Sequence, residues 1–255
     1  MALGAPARPC NYRRMSLRVC LACGLLALVG CGEDDAPGNA AQGGPGPLPP
    51  VVPCNGEPTR SGEATYYTFA DGSGACGFDP TPNDLMVGAM NAPDYGVSGP
   101  CGACAHVVGP EGEVTIRIVD LCPECPSGNI DLSPQAFELI APLERGRVPI
   151  TWQYAPCGVS GPVRYHFKDG SNQWWTAVQM RNIRHAVSRF EYEQDGAFVD
   201  VARVDYNYFL NESGMGPGPY TFRITDVHGA ELVDTGIALG DNVDREGVAQ
   251  FPACE

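Results

Sequence analysis

The chain has 255 residues, with 30 acidic against 16 basic side chains and a formal charge of −14. All the acids lie beyond Cys31 with only 12 of the basic residues. Such a surface repels nucleic-acid phosphates and acidic polymers such as pectin, and suits a neutral polysaccharide. Twenty-four prolines, 32 glycines and few stretches of 3.6-residue period exclude a mainly helical protein and predict an all-β fold, with room for two small domains.

The first expected element is a signal peptide over residues 1–31. Arg13, Arg14 and Arg18 precede the apolar run Leu21–Gly30, which is too short to span a bilayer. Leu28-Val29-Gly30-Cys31 has the form of a bacterial lipobox, in which the cysteine is lipidated and becomes the mature N-terminus. The alternative is an ordinary signal peptide with an incidental cysteine, and either Met1 or Met15 can be the start. Residues 32–53 are Gly/Pro/Ala-rich, open with Glu33-Asp34-Asp35 and hold almost no bulky apolar residue, so they read as a disordered tether. The expected location is a lipid-anchored envelope or cell surface, or secretion if Cys31 is not lipidated. Inner and outer membrane stay open.

Residues 54–157 form the next expected domain. Gly62–Phe69 reads as a first strand, Asp71–Gly77 as a Gly-rich loop, and Val114–Val119 and Val148–Tyr154 as later strands. Between them, Asp120-Leu-Cys122-Pro-Glu124-Cys125-Pro-Ser-Gly-Asn-Ile-Asp131-Leu-Ser133 places three carboxylates around a Pro/Gly-rich turn. Ser133 reads as a helix cap, with Pro134 at the first helical position. Acids at a strand end face solvent, where a sugar or ester can meet them. The plainer readings are that Asp120 accepts backbone N–H bonds in the turn and that Asp131 is a helix-entry residue. His106 reads as an ordinary strand residue.

Eight cysteines fall beyond residue 53: Cys54, Cys76, Cys101, Cys104, Cys122, Cys125, Cys157 and Cys254. An even number in an exported chain reads as disulfides. The alternative is zinc, because Cys101-x-x-Cys104 and Cys122-x-x-Cys125 have zinc-ribbon spacing.

After the short hinge Gly158–Pro162, residues 158–255 read as a β-sandwich. The expected strands start at Val163, Trp174, Arg189, Phe198, Tyr220 and Glu231, with hairpins at Asp195-Gly196 and His228-Gly229. Trp174 and Trp175, adjacent in a strand, would face opposite sides, one into the core and one to solvent.

The pieces Gly62-Glu-Ala-Thr-Tyr66, Ala75-Cys-Gly77, Cys101-Gly-Ala-Cys104, Val119-Asp-Leu-Cys-Pro123 and Ile130-Asp-Leu-Ser-Pro-Gln-Ala-Phe137 resemble the barrel domain of expansins. Lys168–Asn182, with Trp174-Trp175, and Asp205-Tyr206-Asn207 resemble the cellulose-binding sandwich of the bacterial members. The resemblance covers about residues 60–255. It implies a six-stranded double-psi β-barrel followed by an immunoglobulin-like β-sandwich. It implies that Thr65 and Asp131 sit at the centre of a sugar groove with Asp120 beside them, Glu124 near the rim and Tyr67 among the binding residues. Trp174, Trp175 and Tyr206 would form a flat aromatic strip with Lys168 at its edge, while Arg181 and Asn182 belong to the structure. It also implies pairing of Cys76 with Cys101 and Cys104 with Cys157. Cys122 with Cys125 and Cys54 with Cys254 are added as conjecture. The His-Phe-Asp motif of plant expansins is not found, which favours the bacterial-type branch. Cys122 stands where many bacterial relatives have a tyrosine.

The function this implies is binding of cellulose or a related β-glucan and loosening of the wall polymer without hydrolysis. No cofactor or metal is expected, the membrane is met only through the lipid, and a monomer is expected. Hydrolases sharing this barrel carry a base near the end of the first strand, and Thr65–Phe69 holds no carboxylate. Two other readings stay open. One is an enzyme, either an endoglucanase using Asp131 and Asp71 or a peptidoglycan lytic transglycosylase, which needs a single acid. The other is a pure adhesion module.

Overall fold

The structure, a computed structural model, describes Cys54 and residues 56–254; the expected signal peptide, Cys31 and the tether lie outside the described residues. Six strands, β1 (Arg60–Tyr66), β2 (Val87–Asn91), β3 (Cys104–Val108), β4 (Glu113–Cys122), β5 (Ile130–Leu132) and β6 (Val148–Ala155), close into a barrel in the order β1-β5-β2-β4-β3-β6. β1 runs parallel to β5 and β2 parallel to β4, while the other neighbours are antiparallel. Alternation decides which side chains enter. In β4, Val114, Ile116 and Ile118 are buried while Thr115 and Arg117 lie at the partly open face. They join Met90, Val107, Ile130, Leu132 and Trp152 in one core.

Eight strands follow: β7 (Arg164–Phe167), β8 (Thr176–Arg181), β9 (Val187–Gln194), β10 (Ala197–Asp200), β11 (Phe209–Asn211), β12 (Tyr220–Asp226), β13 (Glu231–Ile237) and β14 (Val243–Glu246). They form two sheets, β10-β9-β12-β13 and β11-β8-β7-β14. The filling is aromatic. Tyr165, Phe167, Phe190 and Phe222 are fully buried, and the Phe190 and Phe222 rings meet with centroids 4.9 Å apart. Asp195 and Gly196 both take positive φ in the two-residue β9–β10 turn, as an Asp-Gly hairpin requires.

The all-β architecture and the short Ser133-capped helix agree with the sequence reading, and three details differ: two extra strands, the placement of the aspartates and the turn that carries the tryptophans. β11 and β14 were not anticipated, because Phe-Leu-Asn and Val-Asp-Arg-Glu are too short for alternation to show. Asp120 lies within β4, not in the turn, and Asp131 lies in β5, so it is more than a helix-entry residue. The helix after it, α2 (Pro134–Phe137), is a single turn capped by Ser133, whose Oγ accepts the Ala136 N–H at 3.1 Å. Trp174 and Trp175 precede β8. The Asn172 carboxamide accepts the Trp174 N–H at 2.9 Å, and Asn172 and Trp175 exchange backbone hydrogen bonds. The two tryptophans therefore ride on a tight turn, where the opposite-face rule for strands does not hold.

The disulfides join Cys76 to Cys101, Cys104 to Cys157, Cys122 to Cys125 and Cys54 to Cys254. Cys101 and Cys104 bond to different partners, so their ribbon-like spacing does not build a shared zinc site. Cys157 ties the end of the barrel to β3, and the Asn182 carboxamide donates to the Ser160 and Pro162 carbonyls, fastening the hinge to the sandwich.

Barrel and sandwich also meet through polar contacts. The Cys76 carbonyl accepts from Gln179 Nε2 at 2.9 Å and from Asn207 Nδ2 at 3.1 Å. The short helix α1 (Ala92–Tyr95) supplies Tyr95, whose hydroxyl donates to the Asp205 carbonyl at 3.0 Å. Ser98 just after it donates to the Val204 carbonyl at 2.8 Å. Arg203 reaches back to the Ser98 carbonyl at 3.2 Å, and Arg181 pairs with Asp79 at 2.8 Å. Gln179 is fully buried, so Gln179→Leu leaves the Cys76 carbonyl with one donor and Arg181 without its Gln179 acceptor. The expected cost is about 1–3 kcal/mol, read as a lowered urea midpoint.

Candidate functional site

The barrel register brings the predicted groove residues together. β1–β5 pairing sets Thr65 beside Asp131, β5–β2 pairing sets Asp131 beside Ala89, and β2–β4 pairing sets Ala89 beside Asp120. These four residues form one row across four strands. Strand spacing of about 4.8 Å separates the two acids by roughly 9–10 Å at Cα, with Ala89 between them.

Within the row the acids differ. Asp131 is half-buried and accepts the Thr65 hydroxyl at 2.5 Å. Burial raises its pKa and the Asp120 charge adds to this, against the Thr65 hydrogen bond and the Arg147 charge. Asp120 Oδ1 accepts the Ala75 N–H at 2.7 Å and the Leu121 N–H at 2.8 Å. Its plainer reading as a backbone acceptor therefore describes what it does here, with the bond reaching across to the Gly-rich loop. That loop passes so close that a Cβ on Gly74 would lie 2.4 Å from the Asp120 carboxyl carbon, and Gly74 has φ +156°.

The remaining groove candidates occupy the margins. Asp71 is exposed and accepts both the N–H and the hydroxyl of Ser73, at 2.9 and 2.5 Å, and the Ser73 hydroxyl holds its pKa below the usual carboxylate value. A carboxylate stabilised in this way is a weak proton acceptor. The Tyr67 ring packs on Ala70, Val87 and Val119. Its hydroxyl is buried without a partner among the described residues, and burial with the charges of Asp120, Asp131 and Asp71 drives its pKa upward, so it stays a donor. Glu124 is exposed on the turn that Cys122–Cys125 closes. Arg147 with its partner Glu63 at 2.8 Å, and Phe69, 90% exposed past the end of β1, were not singled out from the sequence. Arg147 is distant in the chain, and only the β1–β6 pairing brings it here; Phe69 could have been noticed as an aromatic in a polar loop. His106 is a β3 residue facing Thr115 and Glu113.

On the sandwich, Trp174 is 71% exposed and Tyr206 is 36% exposed, whereas Trp175 and Lys168 are half-buried. Lys168 Nζ stands 5.9 Å from the buried Tyr208 ring, which is 5.8 Å from the Tyr206 ring. The Trp turn is braced from behind: Gly216 N–H donates to the Gln173 carbonyl, and a Cβ on Gly214 would meet that same oxygen at 2.1 Å. Tyr206 is held by its neighbours, since Asn207 takes positive φ and bonds to Cys76 and Ser98 of the barrel. Arg181 and Asn182 are engaged in the seam and the hinge. Two cavities, of about 250 and 380 Å³, lie along the seam and not in the groove.

A closed six-stranded barrel with an acid-lined row, joined to a sandwich that presents tryptophan and tyrosine, defines a class. The chain belongs to the expansin family. It is 36% identical over 180 residues to Expansin-YoaJ of Bacillus subtilis, covering 69% of this chain and 77% of that one. It is 32% identical over 202 residues to Expansin-like protein 1 of Dictyostelium discoideum, covering 74% and 70%. The crystal structure of the expansin of Clavibacter michiganensis superposes with a TM-score of 0.71 at 29% identity, covering 76% of this chain and 98% of that one, and a mutant of it has been solved with cellohexaose. The family model described as lytic transglycolase matches residues 59–152.

The raised pKa of Asp131 has a sign. The native state holds that proton more tightly than the unfolded chain, so its contribution to stability falls as pH rises from the unfolded towards the folded value. Asp131→Asn keeps an acceptor for Thr65 and removes the buried charge. It is expected to raise the melting temperature by roughly 1–3 °C at neutral pH, with the gain vanishing below the unfolded pKa of aspartate, as read by scanning calorimetry across pH.

Proposed function

We propose that this protein binds cellulose or a related β-glucan and loosens the polymer without cleaving it. The observation that carries this reading is the division of labour in the barrel row: one half-buried acid bonded to Thr65, and a second acid already engaged by the backbone. Hydrolysis with inversion needs a free carboxylate to activate water opposite the acid, at a separation of about 6.5–9.5 Å. Asp120 is committed to Ala75 and Leu121, and Asp71 is a weak acceptor on an exposed loop. A protonatable Asp131 beside Thr65, with the Tyr67 hydroxyl near, can instead exchange hydrogen bonds with glucan hydroxyls and compete with bonds between chains. Trp174, Trp175 and Tyr206 stack on the apolar faces of glucose rings, and Lys168 and Glu124 add polar contacts at the margins.

The cellohexaose complex of the Clavibacter expansin supports a glucan as the ligand class. Lytic transglycosylation of murein is the second reading, favoured by the raised pKa of Asp131, since that chemistry needs one acid, which afterwards takes the proton of the ring-closing hydroxyl, and no separate water-activating base. Four disulfides support export to an oxidising compartment. Anchoring through a lipid on Cys31 and a monomeric state belong to the same proposal.

Asp131→Ala is expected to abolish loosening of cellulosic sheets in an extensometer while cellulose pull-down is retained. Trp174→Ala, at an exposed position, is expected to weaken cellulose binding by up to about tenfold with an unchanged melting temperature. Mass spectrometry of soluble products should find none from cellulose. Cello-oligosaccharides that vanish in Asp131→Ala would replace this reading with a glucanase, and anhydro-muropeptides from murein would replace it with a transglycosylase.

A further inference from the structure

Cys54 and Cys254 join the two ends of the described chain, and two histidines sit against that bond. His228 Nε2 lies 3.6 Å from Cys54 Sγ, and His185 Nε2 lies 3.8 Å from Cys254 Sγ. The two imidazoles meet edge to face with centroids 4.7 Å apart. One donor atom from each of the four residues falls within 4.8 Å of all the others. The four come from separate places: the segment before β1, the β8–β9 loop, the β12–β13 turn and the chain end. None belongs to the groove or the aromatic surface.

Two sulfurs and two imidazole nitrogens are the donor set of a tetrahedral structural zinc site. Zn–S of about 2.3 Å and Zn–N of about 2.0 Å put sulfur and nitrogen roughly 3.5 Å apart along a tetrahedron edge. The sulfur–nitrogen separations of 3.6 and 3.8 Å are close to that edge. An outer group is present as well. Glu57 Oε1 stands 3.9 Å from Nδ1 of His228, the ring nitrogen not turned to Cys54, and a small approach would bring it to hydrogen-bond distance, as a carboxylate that orients a metal-bound imidazole requires. His185 Nε2 also touches the Pro252 carbonyl at 3.1 Å, a contact that ligation would replace. A cavity of about 250 Å³ lined by Cys54, Glu57, Arg60, Tyr154, His185 and His228 adjoins the cluster at the seam between barrel and sandwich.

We infer that the dithiol form of this cluster binds one zinc-class divalent ion through Cys54, Cys254, His185 and His228. The ion then takes over from the disulfide the task of joining the chain ends across the seam. Loading is acid–base chemistry: two thiols release two protons to solvent as two metal–sulfur bonds form. The dithiol is the chain before oxidation, or the disulfide after reaction with a phosphine, which becomes the phosphine oxide as water supplies its oxygen and the two thiol protons.

The test uses Co²⁺ as probe, with Zn²⁺ as competitor, on the full chain. The phosphine-reduced chain, with Cys54 and Cys254 shown free by thiol labelling, is expected to take one Co²⁺ with a thiolate-to-cobalt charge-transfer band that Zn²⁺ abolishes. Free thiols without that band would overturn the proposal. Reduction also opens other disulfides, so a second chain is needed. Cys54→Asp cannot form this bond and keeps four donors, because aspartate is a zinc ligand. Without any reductant it is expected to bind one Co²⁺ and to melt higher with Zn²⁺. Adding His185→Ala or His228→Ala is expected to weaken binding more than tenfold. No metal on Cys54→Asp, or affinity that both histidine variants leave unchanged, sinks the idea.

Discussion

The carbonyl of Cys76 is the point on which both halves of the molecule turn. It accepts two buried side-chain donors, Gln179 from β8 and Asn207 from the segment that carries Tyr206. One residue earlier, Ala75 gives its N–H to Asp120 in the groove. The Cys76–Cys101 disulfide holds the same loop to the barrel. Two consecutive positions, Ala75 and Cys76, therefore link the acid row, the barrel wall and the aromatic face. A buried carbonyl stripped of its donors costs more than an ordinary surface bond contributes, so the relative placement of groove and platform is held firmly.

That placement commits Asp120 to the Gly-rich loop and leaves Asp131 with the Thr65 hydroxyl as its hydrogen-bond donor. Both are aspartates in one barrel row, on strands separated by β2, yet one has its oxygen engaged by two N–H donors and the other sits half-buried with a hydroxyl and a raised pKa. Environment, not residue type, separates them. The Gly-rich loop is what makes the separation possible, because only glycine at 74 lets the backbone close on the Asp120 carboxylate.

A polymer ligand asks for length and flatness more than depth. The sandwich presents Trp174 on a turn braced by the Gly214–Gly216 loop, with Tyr206 on a segment bonded to the barrel. Rigid support matters because an aromatic side chain already ordered before binding loses little entropy when a sugar stacks on it. The strong negative charge suits a neutral glucan and disfavours anionic polymers.

Much of this was legible in the chain. Alternating apolar residues announced most of the strands, Ser133-Pro134 announced the one-turn helix, and Asp195-Gly196 announced its hairpin, because each depends on contacts a few residues away. The residues Thr65, Asp131 and Asp120 were recognisable from the motifs around them. What they touch was not. The row Thr65–Asp131–Ala89–Asp120 exists only because strands distant in sequence pair in a particular register. The same pairing brings in Arg147, which no local pattern marked. Trp174 and Trp175 were misplaced onto a strand because an Asn172 side-chain bond turns the backbone just before β8. β11 and β14 are strands because partners exist for them, not because their few residues prefer it. Local periodicity and turn chemistry are properties of the sequence by itself. Register, the commitment of Asp120 to a loop 45 residues earlier, and the meeting of Cys54, His185, His228 and Cys254 are long-range contacts that only the closed tertiary structure decides.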